Sequence, residues 1–293
     1  MSGKQYFVKR YKKLGWTYRQ VNPKLSIRIN TINASRNVVV NRLKSLGIAL
    51  KKIPFLTDGY WVLKSKISIG ATAEYLLGLY SIQEAAAQIP VTLFSELKDK
   101  LVLDACASPG GKTIQLADVM KNSGIIVALE LKRRKMFALV NQLERSRVMN
   151  TAAYQMDARE CSRLNMTFDS VLLDVPCSGN YVTDKAWFNK RRREDIKKNA
   201  RRQRQILAEA VKVTKKKGEL IYATCSLEPE ENELNIEWAI KNLNVKVEAI
   251  KCHGENGLTK VFDRELDGSI KKCRRIWPGQ TQGFFFCKLV KQT

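Results

Sequence analysis

Apolar and polar positions along the chain follow two regimes that meet near residue 100. Before that point, LSIRIN (25–30) alternates apolar Leu25, Ile27 and Ile29 with polar residues, the period of a half-buried strand. Ser35 to Leu46 carries apolar residues at helical spacing, and Gly47 supplies a C-cap. IALKKI (48–53) and YWVL (60–63) read as two further short strands, and residues 1–23 as a basic, aromatic helix or arm. Gly70 to Ile89 again shows helical spacing and stops at Pro90. From Lys100 onward, short β-rich runs alternate with helical stretches. The strands expected are LVLDA, IIVALE, TAAYQ, VLLDV, ELIYATC, VKVEAI and FFFCKLV. The helices between them run to about Met120, Met149 and Val213, with another from Glu230. Alternation of this kind predicts an α/β fold with a mostly parallel, seven-stranded sheet and helices on both faces. The expected layout is a small N-terminal α/β domain over 1–70, a helical connection over 71–99 and a second domain over 100–293. A basic α/β sheet with exposed aromatics is also how single-stranded RNA modules are built.

Charge narrows the field of partners. The 293 residues hold 52 Lys plus Arg against 28 Asp plus Glu, a formal net charge of +24, and the excess is clustered. A field of that sign favours polyanions. There is no run of eighteen apolar residues and no apolar leader at the N-terminus, so no membrane association is expected and a cytoplasmic location is. Seven cysteines form no CxxC pair, which disfavours a disulfide scaffold or a zinc ribbon; no metal is expected. His253 is the one histidine. Acid–base chemistry therefore falls to Cys, Asp, Glu, Lys or water.

The first strand of the second domain runs into DACASPGGKT (104–113). Its Pro-Gly-Gly turn lets backbone approach a ligand closely. A P-loop would need glycine where Cys106 stands. A Rossmann-type nucleoside site wants an acid about 20 residues on for the ribose hydroxyls; Glu130 follows Gly111 by 19. Asp157 ends the next strand and Asp174 the one after. Aligned carboxylates disfavour a pyrophosphate and suit a cationic sulfonium, which points to S-adenosylmethionine rather than NAD or ATP.

Cys177, in LDVPCSG (173–179), and Cys225, in ATCSLEPEEN (223–232), both lie just past strand ends on the functional rim. The other five cysteines read as small buried hydrophobes. Methylation of cytosine at carbon 5 explains two such groups. A thiolate adding at carbon 6 makes carbon 5 nucleophilic. A carboxyl group near N3 assists as charge builds there, and a base must then remove the carbon 5 proton. A free thiol, of pKa ~8.5, needs help to ionise, and Lys112, strand-end amides and the cofactor are at hand. Attack by Cys177, as in DNA cytosine methylases, would leave Cys225 unexplained.

DACASPGGKT, LDVPCSG and ATCSLEPEEN, in that order, resemble the signatures of the NOL/NOP/Sun (NSUN) RNA cytosine-5 methyltransferases, and SIGATAEYLLGLYSIQEAAAQIP (68–90) resembles the segment that precedes their catalytic domain. The resemblance is strong over residues 65–290. It implies a Rossmann-like class I methyltransferase domain, Cys225 as nucleophile, Cys177 assisting release, and Asp174 contacting both cofactor and cytosine. It also implies S-adenosylmethionine bound by Cys106, Ala107, Ser108, Pro109, Gly110, Gly111 and Lys112 with Glu130 and Asp157. Lys135 stands where members often carry Arg, so it is left out of the expected site; Ser108 replaces their usual Ala. The compact layout resembles archaeal transfer-RNA enzymes, so a monomer acting on tRNA is expected, with rRNA as the alternative and a non-catalytic RNA-binding or assembly factor as a different class. Three basic patches are candidate phosphate contacts flanking the cysteines: Trp187–Gln205, Lys215–Lys217 and Lys271–Arg275. The target cytosine must leave its stack to be attacked.

Overall fold

The computed structural model describes residues 3–292; residues 1, 2 and 293, at the ends of the two expected domains, lie outside the described residues. The chain opens with helix α1 (Gly3–Lys13) and continues into β1 (Ser26–Ile29), α2 (Arg36–Ser45), β2 (Ala49–Lys52) and β3 (Gly59–Lys64). Next come a short α3 (Ala73–Leu76) and β4 (Tyr80–Ile82). These strands form a four-stranded antiparallel sheet in the order β2-β3-β1-β4. Ile27 and Ile29 of β1 and Tyr80 of β4 pack with Val39 and Leu43 of α2 on one face.

Two expectations for this unit are corrected. Residues 71–99 are not a helical connection. Gly78, at φ +68°, closes the single turn of α3, and Tyr80–Ile82 then completes the sheet by pairing with β1. The expected boundary at residue 70 therefore falls inside the sheet. A free edge on β1, with unpaired backbone groups, overrides the helical spacing of the segment. Nor is the second face of the sheet displayed to solvent. It carries Ser26, Arg28 and Trp61, all buried, because it docks on the second domain. Arg28 pairs with Asp118 at 2.5 Å, and Trp61 joins Ile89, Val91 and Leu116 in one apolar cluster. Gly59 lies at this junction, where a Cβ would come within 2.6 Å of Leu56.

The second domain begins with β5 (Leu101–Asp104), α4 (Gly111–Val119), β6 (Ile125–Glu130), α5 (Arg133–Arg145) and β7 (Thr151–Gln155). It continues with β8 (Phe168–Asp174), a short α6 (Trp187–Lys190), α7 (Arg193–Val213), β9 (Thr214–Thr224) and α8 (Glu233–Asn242). Then follow β10 (Val245–Glu248), β11 (Glu255–Asn256), β12 (Lys260–Val261), β13 (Arg264–Glu265), β14 (Arg274–Ile276) and β15 (Phe284–Lys291). The central sheet has nine strands rather than seven: β11-β14-β15-β9-β8-β5-β6-β7, with β10 also on β15. Five are parallel, from β7 to β9; the rest are antiparallel. The long β15 accounts for the excess, since β10 covers one half of its outer edge and β14 the other. α5 stops at Arg145, short of Met149, where Arg147 takes a left-handed φ of 55°.

The sheet is buried on both faces. Val171 and Leu173 of β8 pack on Ile206, Leu207 and Ala210 of α7. Leu172, one residue between, faces Leu116 and Ala117 of α4. The chain leaves β5 toward β6 and returns from β7 to β8 on the other side of β5. The order of the sheet reverses there, so a crevice opens beyond the carboxyl ends of β5, β6 and β8.

Candidate functional site

The Gly-rich turn joins β5 to α4. Gly110 takes φ +110°, a conformation open to glycine, and starts α4. Asp104, at the end of β5, is fully buried and accepts from Thr113 Oγ1 at 2.8 Å, tying the strand to the helix. Burial pushes its carboxyl up to about 6. Burial also pushes the Cys106 thiol well above its ordinary range, so that side chain is a neutral wall.

Beside this turn is a cavity of ≈ 120 Å³ lined by Cys106, Glu130, Lys135, Asp157, Pro176 and Arg202, among others. Glu130 closes β6 and accepts from the Lys132 backbone N–H at 2.8 Å. Asp157 follows β7; the Arg159 side chain, at 2.6 Å, holds its carboxyl below the usual range. Ala107, Ser108, Pro109, Gly110 and Gly111 shape the turn and do not line this cavity. Asp174 and Lys112 also stand apart from it, bonded to each other at 2.6 Å. Lys112 is therefore committed to a carboxylate and not to a thiol. Lys135 and Arg202 are among the lining residues that the sequence reading did not place in the site. Lys135, left out for lacking Arg geometry, does line the cavity, and its spacing from Glu130 was the available signal. Arg202 arrives from α7, which no local pattern connects to β6. A small cavity carrying the Glu130 and Asp157 carboxylates has the donor set to hold the nucleoside part of S-adenosylmethionine.

Cys177 follows β8 and Cys225 follows β9, adjacent parallel strands, and their Sγ atoms lie 3.2 Å apart. The hydrogen bond with Cys225, together with burial, raises the Cys177 thiol well above its ordinary pKa. Asn180 Nδ2 donates to the Cys225 carbonyl at 2.7 Å, and Asn232 Nδ2 to the Ser226 carbonyl at 2.9 Å. The first of these bonds joins the two loops; the second lies within the loop after Cys225.

Helix α1 buttresses the same loops. Phe7, Tyr11 and Trp16 pack with Tyr181, Trp187 and Phe188 from the segment after Cys177. Arg10 reaches Glu228 and Glu230 in the segment after Cys225, at 2.9 and 2.7 Å.

The basic patches divide. Arg159, Lys198, Arg201 and Arg202 line an open hollow of ≈ 450 Å³ next to the cofactor cavity. Lys215–Lys217 do not flank the cysteines: they begin β9, whose far end carries Cys225, and Lys215 pairs with Asp169. Eleven strand residues separate the two ends by about 35 Å. Arg275 is 1% exposed and pairs with Glu233 at 2.5 Å, so it contacts no solvent polyanion.

Comparison with known proteins places this geometry. Residues 91–290 match the family model described as 16S rRNA methyltransferase RsmB/F, and residues 4–85 match the N-terminal domain of 16S rRNA methyltransferase RsmF. A human 28S rRNA (cytosine(4447)-C(5))-methyltransferase is 34% identical over 91% of this chain, which spans 34% of that protein's length. A tRNA (cytosine(49)-C(5))-methyltransferase of Pyrococcus abyssi is 31% identical, over 97% of this chain and 95% of its own. Among solved structures, a methyltransferase homolog from Pyrococcus horikoshii superposes with TM-score 0.90 at 35% identity, covering 98% of this chain and 95% of that one. The paired thiols, the strand-end acids and these matches together make the chain a member of the RsmB/F (Sun/NOP2) family of RNA cytosine-5 methyltransferases, whose cofactor is S-adenosylmethionine.

Proposed function

We propose that this chain methylates carbon 5 of a cytosine in RNA, with tRNA as substrate. The observation that carries the reading is the 3.2 Å contact between Cys177 and Cys225 at the ends of neighbouring parallel strands. Cys225 adds as thiolate to carbon 6 of a cytosine swung out of its stack. Asp174, taking a proton from Lys112 bonded to it at 2.6 Å, donates that proton to N3 as charge builds on the ring. S-adenosylmethionine, when bound, supplies an electrophilic methyl group on a cationic sulfur. Cys177 then assists loss of the carbon 5 proton and release of Cys225. The turn from Cys106 to Lys112, with Glu130, Asp157 and Asp174, holds the cofactor.

tRNA is favoured because the Pyrococcus abyssi enzyme, a tRNA (cytosine(49)-C(5))-methyltransferase, is 31% identical along 97% of this chain and 95% of its own length. Action as a monomer belongs to this reading. An RNA substrate supports a cytoplasmic location. The N-terminal domain, buttressing both cysteine loops, helps to dock the RNA.

Bisulfite sequencing of total RNA from cells with and without the gene names the RNA and the position. A lost site in tRNA is the expected result; a lost site in rRNA moves the substrate there. In vitro, Cys225→Ala abolishes transfer, and Cys177→Ala accumulates a covalent RNA adduct on denaturing gels. Full turnover by Cys225→Ala would remove the nucleophile assignment and favour the binding-factor class; adduct accumulation by Cys225→Ala would reverse the two roles.

A further inference from the structure

Each of the two thiols is followed by serine: Cys177-Ser178 and Cys225-Ser226. The two serine hydroxyls lie 3.1 Å apart, and both donate to one carboxylate oxygen, Oε2 of Glu231. Ser178 also gives its backbone N–H to Oε1 at 3.0 Å, and Gln203 of α7 gives its side-chain amide to the same oxygen at 3.0 Å. That amide also reaches the Pro176 carbonyl at 2.9 Å. The backbone is therefore held on both sides of Cys177, at Pro176 and at Ser178, while Ser226 is held next to Cys225.

Glu231, Ser178, Ser226 and Gln203 are buried to 1% exposure or less. No Lys or Arg pairs with Glu231 among the described residues. A buried carboxylate without a cation is costly unless its lone pairs are filled, and here hydrogen-bond donors alone fill them. Simple core stability would be served as well by an apolar side chain. What an apolar side chain would not do is bond two separate loops to one point.

We propose that Glu231 is a positioning residue: it sets the separation and aim of the two thiols by bonding the residue after each of them to a single carboxylate. This rests on the reading of Cys225 and Cys177 as the reacting pair. Loss of about 1 Å in such alignment costs on the order of 100-fold in rate. A carboxamide at this place keeps the shape but offers N–H at one of two positions that between them accept from four donors. The negative charge of Glu231 also works against ionisation of Cys177.

The test compares wild type, Glu231→Gln and the double variant Ser178→Ala/Ser226→Ala. Each is first shown folded by its melting curve and by its affinity for S-adenosylhomocysteine, expected within twofold of wild type because the cofactor cavity holds none of these residues. Single-turnover methyl transfer to RNA should then fall about 10- to 100-fold in Glu231→Gln, with the KM for RNA little changed. The double variant should fall in the same direction by less. Independently of turnover, the pH midpoint for alkylation of Cys177 should move to lower pH in Glu231→Gln, which a purely structural role would not produce. Wild-type transfer rates with an unmoved midpoint, in folded protein, would overturn the proposal. Absence of transfer by wild type, or full transfer by Cys225→Ala, would instead overturn the function on which it rests.

Discussion

Replacing Arg10 with methionine would strip a fully enclosed carboxylate of its cation. Glu228 is 0% exposed, and Arg10 reaches it through Nη2 at 2.9 Å and through Nε at 3.2 Å. The same Nη2 bonds Glu230 at 2.7 Å. Even with Arg10 present, burial raises Glu228 from an ordinary 4.5 to about 7. Its folded pKa thus exceeds its unfolded one. The stability it contributes is complete below about pH 4.5 and is lost as pH rises through about 7. Without Arg10 the folded pKa climbs further, and the variant keeps losing stability above pH 7 where wild type has levelled off. At pH 6 the acid is mostly protonated in both proteins, and the lost hydrogen bonds cost about 1–2 kcal/mol. At pH 8, one unit above the wild-type value of about 7, the higher pKa adds up to about 1.4 kcal/mol to this, a total of about 2–3 kcal/mol and a fall in Tm of about 5 °C. Thermal unfolding at the two pH values, for wild type, Arg10→Met, Glu228→Gln and the double variant, measures this. The double variant should recover most of the loss at pH 8. An equal loss at both pH values, or a double variant that is the sum of the singles, would refute the argument.

Other consequences can be measured as directly. Asp104, raised by burial to about 6, adds stability that disappears as pH rises through that value; Asp104→Asn should flatten the dependence of Tm between pH 5 and 7.5, removing about 1.4 kcal/mol of pH-linked change, and an unaltered slope would contradict the assignment. Lys198→Ser with Arg201→Ser should reduce the salt slope of tRNA binding by about 1 per contact in fluorescence anisotropy, while serine at Lys215, Lys216 and Lys217 should leave it unchanged; the opposite result would route RNA across the other end of the sheet. Lys112→Met, which unpairs Asp174, should lower the methyl-transfer rate about 10- to 100-fold, and a wild-type rate would show that the pair has no part in the reaction.

Much of the fold was legible because its signals are local. LVLDA, IIVALE and VLLDV are strands buried on both faces, and such strands appear as short continuous apolar runs. The Pro-Gly-Gly turn and the acids at strand ends carry their meaning in spacing alone. Tyr80–Ile82 was not legible: three residues cannot show a period, and their strand exists because β1 offers an unpaired edge. The sheet acquired two further strands for the same reason, through the exposed edge of β15 and its extensions. Arg275 looked like part of a phosphate-binding run until α8 placed Glu233 against it. Lys215–Lys217 looked like neighbours of Cys225 because only a few residues intervene, but an extended strand turns ten residues into the height of the sheet.

The sequence by itself determined the chemistry on offer: two thiols past strand ends, three acids at successive strand ends, a Gly-rich turn, and a positive field suited to a polyanion. Each is a property of residue type and short spacing, which the chain carries wherever it goes. The tertiary structure decided which of these groups meet. Parallel pairing of β8 with β9 brings Cys177 to within 3.2 Å of Cys225 across 48 positions of sequence. Lys112 is turned from the thiols to Asp174, and one buried glutamate is bonded to the residues following both cysteines. Such bonds join residues far apart in the chain, and they form only when several elements bury the same polar atoms together, where each donor must find an acceptor that no local pattern specifies.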